Sequence, residues 1–125
     1  MSIPVSLEKL RAEVERYGRA PFLLTVSDDA RPHSVSVAVA WDGDALAMNP
    51  GKRTRANVAA RPLVSLLWAP IEPGGYSLIV DAEGSLRGEG DAARVLARPT
   101  RAVLHRPATP ETVLKDGCSA DCVRV

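Results

Sequence analysis

The chain has 125 residues, 46% hydrophobic and 25% charged, and its 16 basic and 15 acidic side chains leave a formal net charge of +1. One domain of this length buries roughly two thirds of the surface its unfolded chain exposes, so it needs neither a disulfide framework nor a structural metal. The balanced charge argues against a nucleic-acid partner, the charge-free run 62–71 is far too short for a membrane span, and Glu8 and Lys9 precede any apolar signal core, so a cytoplasmic protein is expected.

Residues 6–17 read as an amphipathic helix, with Ser6 as its cap, Leu7, Leu10, Val14 and Tyr17 at helical spacing, and Gly18 as its stop. From Pro21 the period becomes two. Strands are expected over 22–27, 33–41 and 45–49, with turns at Asp28-Asp29-Ala30 and Asp42-Gly43-Asp44. Residues 54–61 read as a short helix ended by Pro62, and 63–68 as a fourth strand. A Pro- and Gly-rich loop leads to strands over 76–87 and 93–106, joined by a turn at 88–91. Pro99 marks an edge, or a bend where the last strand changes pairing. The tail from Ala108 is polar, and one domain over 1–125 is expected, a mainly β fold of six antiparallel strands and short helices.

Arginine outnumbers lysine 13 to 3, which is read as a composition bias, but its distribution is uneven. Lys52, Arg53, Arg55 and Arg61 share an acid-free stretch, PGKRTRANVAARP. A helix start exposes unpaired N–H groups and the positive end of its dipole. With Thr54 as cap, Gly51 allowing close approach, and Lys52, Arg53 and Arg55 around the same point, the segment suits either a phosphate cradle or a solvated basic turn. In 33–41 the positions Val35, Val37, Val39 and Trp41 suit a core. The alternate positions Ser34, Ser36, Ala38 and Ala40 are small, open to a flat ring, a second subunit or the first helix. The run Gly88, Gly90, Ala93 spells GxGxxA, but Pro99 leaves no room for the helix a dinucleotide fold needs. Cys118 and Cys122, with His33 and His105 remote in sequence, make a weak metal pattern, and no catalytic triad stands out.

The order and spacing of LEKLRAEVERYG, FLLTVSDDARPHSVSVAVAW, MNPGKRTRANVAARPLVSLLW and PTRAVLHRP resemble the pyridoxamine 5′-phosphate oxidase-like family of flavin-binding split β-barrels. The resemblance covers most of residues 5–107. It implies an FMN-binding split barrel, a homodimer holding FMN, or the deazaflavin coenzyme F-420, between subunits, and oxidoreductase chemistry on a small conjugated substrate. By the same resemblance His33, Ser34 and Ser36 lie near the ring and Asn49 closes the next strand beside it. Lys52, Arg53, Thr54 and Arg55 hold the phosphate, Asn57 matches the family's helix asparagine, and Trp68 approaches the cofactor or the subunit seam. Thr54 stands where many relatives carry a lysine. The chain is short for a true pyridoxamine phosphate oxidase and lacks that enzyme's extended C-terminal segment. Tyr76 and His33 are candidate proton donors. The rival readings are a non-catalytic flavin carrier or sensor, and a split barrel that uses its small-residue face only to dimerise.

Overall fold

The computed structural model describes residues 1–108; residues 109–125, with Cys118 and Cys122, lie outside the described residues. The elements are β1 (Ser2–Val5), α1 (Leu7–Tyr17), β2 (Phe22–Val26), β3 (Pro32–Ser36), β4 (Ala40–Asp42), β5 (Ala45–Met48), α2 (Lys52–Ala60), β6 (Leu63–Trp68), β7 (Ser77–Arg87) and β8 (Arg94–His105), with one 3-10 turn at Gly90–Ala92. They form an eight-stranded antiparallel sheet in the order β3-β2-β6-β7-β8-β5-β4, with β1 also on β8. The sheet path starts at β3 and ends at β4, yet only residues 37–39 separate those strands, so Ser36 and Ala40 are at most about 14 Å apart. The sheet thus curls back on itself without closing, the split barrel the sequence suggests.

The strand count differs from the expected six for two local reasons. Ser2–Val5 lacks the alternation that marks a strand and is recruited by the free flank of β8, in register from Ser2 opposite His105 to Val5 opposite Ala102. The expected strand 33–41 breaks in two because Val37 meets Pro21. The Val37 N–H donates to the Pro21 carbonyl at 3.0 Å, but proline has no N–H to return the bond, and the ladder ends there. The face pattern survives the break: Val37 and Val39 are buried, Val35 and Trp41 pack on the core, and Ser34, Ser36, Ala38 and Ala40 are exposed. Pro99 sits on the flank of β8 between Ala97, the last partner of β5, and Ala102, the first partner of β1, where no ladder bond is demanded of it. Next to it Thr100 is the extra residue of a bulge opposite Asp81/Ala82.

The core lies inside the curl: Leu23 of β2, Leu66 of β6, Leu78 and Val80 of β7, Leu46 and Met48 of β5 and Val95 of β8. Helix α1 adds Leu10 and Val14, whereas Leu7, expected on the same stripe, is 52% exposed. Ser6 occupies the cap position of α1 without a side-chain cap bond, and Gly18, at φ +101°, ends the helix by donating its N–H to Val14 at 2.8 Å. Helix α2 packs on β7 through Val58, and Gly84 makes room for it: a Cβ there would lie 2.8 Å from the Val58 Cγ1. No helix among the described residues is long and apolar enough to cross a membrane.

Candidate functional site

Helix α2 begins two residues earlier than expected. Gly51, in extended conformation, is the N-cap, and its carbonyl accepts the first helical bond from Arg55 at 3.0 Å. Thr54 therefore is not the cap; it lies inside the first turn and is 2% exposed. The basic residues sit within that turn as well, and at about 100° per residue they fan around the axis instead of converging. Arg55 swings away, donating to the Pro50 carbonyl at 2.8 Å and to Asp91 at 3.3 Å. Lys52 is exposed outside the cleft described next. Arg53 and Asn57 share one face, and Arg61, one turn on, extends it.

That face forms one wall of an open cleft of about 490 Å3; the β2–β3 turn and β3 supply the other through Asp28, Asp29, Arg31 and His33. Asn57, 4% exposed, donates from Nδ2 to the Thr25 hydroxyl at 3.1 Å, and Thr25 is the register partner of His33 across β2 and β3. The helix is thereby tied to the strand pair at the floor of the cleft. There the Nδ1 of His33 is buried with no hydrogen-bond partner among the described residues, a state that normally costs free energy. Arg61 is committed: its Nε donates to the Val26 carbonyl at 2.6 Å. Arg31 faces Asp29 at 3.6 Å. Arg53 makes no ion pair or side-chain hydrogen bond among the described residues. The Asp29 carboxyl is held below its ordinary 3.8, first by the Ser27 hydroxyl that donates to it, against a small opposing effect of burial, then by backbone N–H groups of Arg31 and Asp29 and the charge of Arg53.

The cleft thus gathers His33, Arg53 and Asn57 of the expected residues. Ser34 and Ser36 project from the opposite face of β3, beside Leu24 and Phe22 of β2. Asn49 is exposed after β5 and does not line the cleft. Trp68 belongs to the core: alternation along β6 points it inward with Val64 and Leu66, it is 3% exposed, and its Nε1 donates to the Gly18 carbonyl at 2.8 Å. Tyr76 lies elsewhere, its carbonyl accepting from the Tyr17 hydroxyl at 2.8 Å and its ring under Arg106 at 4.6 Å. Sequence reasoning missed Arg31, Arg61 and the two turn aspartates as cleft residues, and Thr25 as the anchor of Asn57. The spacing of Arg53, Asn57 and Arg61, four residues apart, was the signal available for one of them.

No protein-family model matches the chain. It is 40% identical over 133 residues to an uncharacterized protein of Mycobacterium bovis, an alignment spanning 95% of this chain and 93% of that one, and equally so to an uncharacterized protein of Mycobacterium tuberculosis. Among solved structures it resembles a putative pyridoxamine 5′-phosphate oxidase from Listeria innocua (TM-score 0.64, 19% identity, 78% of this chain and 96% of that one). It also resembles an FAD binding protein from Mycobacterium smegmatis (TM-score 0.61, 14% identity, 85% and 100%) and an F420 reductase (TM-score 0.54, 20% identity, 67% and 88%).

Proposed function

The chain belongs to the family of these mycobacterial proteins and has the pyridoxamine 5′-phosphate oxidase-like split-barrel fold, and from that premise we propose that it is an oxidoreductase that binds FMN, or a related deazaflavin, in the cleft between α2 and β3. The observation that carries the reading is the meeting, in one cleft, of an uncommitted cation, Arg53, with a buried polar atom that lacks a partner, the Nδ1 of His33. Both are groups that a phosphorylated, heteroatom-rich ligand satisfies. The named solved structures, one an FAD binding protein and one an F420 reductase, support a cofactor of this type.

In this reading the chain's own residues bind and orient. Arg53 neutralises the phosphate, while the Asn57–Thr25 bond fixes the helix against β2 so that Arg53 and His33 keep their separation. His33 holds a proton or accepts one at Nδ1, according to the heteroatom it faces. Ser34 and Ser36, on the opposite face of β3, stand outside the cleft and leave that face open to a second subunit. A bound flavin or deazaflavin supplies hydride transfer to or from a small conjugated substrate. Water or His33 completes the proton balance.

The outer face of the sheet supports a homodimer. Phe22, Leu67 and Ile79 lie in one register row across β2, β6 and β7, and Leu63 on the same face is 73% exposed. A second copy covering this face would shield Ser34 and Ser36 from water. The cytoplasm is the compartment proposed. The binding experiment is a titration of the apo-protein with FMN and with riboflavin. FMN should bind at least tenfold more tightly, because only it carries the phosphate that Arg53 meets. Equal affinities would remove the phosphate assignment, and no uptake of either would remove the function.

A further inference from the structure

We infer that Arg61 is a second anion-binding group of the cleft beside α2, distinct from the one that Arg53 offers a phosphate, and that it takes the carboxylate of an acidic, flat substrate; the word substrate rests on the flavin reading above. Arg61 lines the same cleft as Arg53 and Asn57. Its Nε donates to the Val26 carbonyl at 2.6 Å. That bond fixes the guanidinium in place and leaves its charge intact, since a carbonyl accepts a hydrogen bond without taking the proton. The two terminal nitrogens of Arg61 make no hydrogen bond or ion pair among the described residues. The edge they form matches both oxygens of a carboxylate.

Arg53 and Arg61 do not make one clamp. Arg61 closes the helix that Lys52 opens, and it follows Arg53 by about 12 Å of helical rise. Arg53 has no tie among the described residues, whereas Arg61 is tied to β2, so a phosphate met by Arg53 leaves the Arg61 fork for another group. The third guanidinium of the cleft, Arg31, faces Asp29 at 3.6 Å. By count the lining carries three guanidinium groups against two carboxylates, Asp28 and Asp29, so an acid entering the free cleft meets no surplus of negative charge. Pro32 on one wall and Ala56 on the other add apolar surface suited to a flat hydrocarbon body.

Benzoate and its neutral isostere benzamide, added to the FMN-loaded protein, test this through the arginine Nε–H NMR signals. Benzoate should move the Arg61 signal along a saturating curve and benzamide should not, while Arg98, which faces Glu83 at 3.7 Å outside the cleft, should show no saturating shift with either. Benzoate should bind roughly fivefold more tightly than benzamide or better. Arg61→Gln should remove that difference and change FMN affinity by less than about twofold, and Arg61→Lys, which keeps the charge without the fork, should retain part of it. Equal binding of the two probes, a shift at Arg61 no more saturable than at Arg98, or a joint loss of FMN and benzoate affinity in Arg61→Gln overturns the inference and leaves the flavin reading standing. So does an Arg61 signal that FMN alone saturates and benzoate no longer moves, because Arg61 then serves the cofactor. Failure to take up FMN overturns the flavin reading, and the same signals followed with benzoate on the unliganded protein then decide the anion-binding role of Arg61.

Discussion

Among the described residues three clefts of about 480–490 Å3 open, and of the two that contain cations one lies beside α2 and one beside α1, so size does not separate them. What separates them is how their polar groups are used. Beside α1, Arg11 lies 4.4 Å over the Trp41 ring and donates to the Gly43 carbonyl at 2.8 Å, while Arg98 faces Glu83 at 3.7 Å. Although Trp41 Nε1 has no partner there, the cations beside it are already paired with acids, carbonyls and a ring. Beside α2, Arg53 is uncommitted and stands near the unpartnered His33 Nδ1. A cavity becomes a candidate anion site when a cation in it has nothing else to do, and the sum of charges does not report this.

Charge reversal should break the comparison most sharply. Arg53→Glu should weaken FMN binding about 30- to 100-fold, some 2–3 kcal/mol, in an equilibrium titration, whereas Arg98→Glu in the other cleft should leave it within a factor of two. Arg55→Glu, which loses the Pro50 and Asp91 contacts but does not face the cleft, should fall between them, near threefold or less. Asn57→Ala should cost about 1–3 kcal/mol in denaturant unfolding by leaving the buried Thr25 hydroxyl unpartnered, with a loss of FMN affinity alongside. Ala30 occupies the left-handed region at φ +65°, so Ala30→Gly should raise stability by about 0.5–1 kcal/mol without changing cofactor affinity.

The smallest effect concerns pH. Because Asp29 titrates below its ordinary 3.8 in the folded chain, its contribution to stability is complete above that value and is lost as the pH falls through the lowered one. Asp29→Asn should therefore flatten the acid limb of the stability curve by slightly lowering the neutral plateau, with the acid end nearly unchanged.

Much of the fold was legible because period and punctuation agree in this chain. The bounds of β6, the outward row of small residues from Ser34 to Ala40, and the special place of Pro99 all follow from alternation and from proline's missing donor. The break after Ser36 was not legible, since it depends on Pro21 sitting opposite Val37, a pairing decided by tertiary register. For the site, the cation cluster near Gly51 was visible but its direction was not. A helix start two residues earlier turns Arg55 away, buries Thr54, and leaves Arg53 as the one basic residue of that turn on the cleft. The bond between Asn57 and Thr25 joins residues remote in the chain, and neither residue type announces it. Trp68 misled for the opposite reason: a tryptophan at a strand end suits a ligand wall, but here its indole N–H is used by the Gly18 carbonyl.

The central claim, that the cleft beside α2 and not the one beside α1 takes the cofactor, is tested most directly by adding FMN to the isotopically labelled apo-protein and following its amide and side-chain NMR signals. Shifts gathered at His33, Arg53 and Asn57, with the Trp41 indole signal unmoved, are the predicted result. Shifts gathered at Arg11, Trp41 and Arg98, with His33 unmoved, would contradict it.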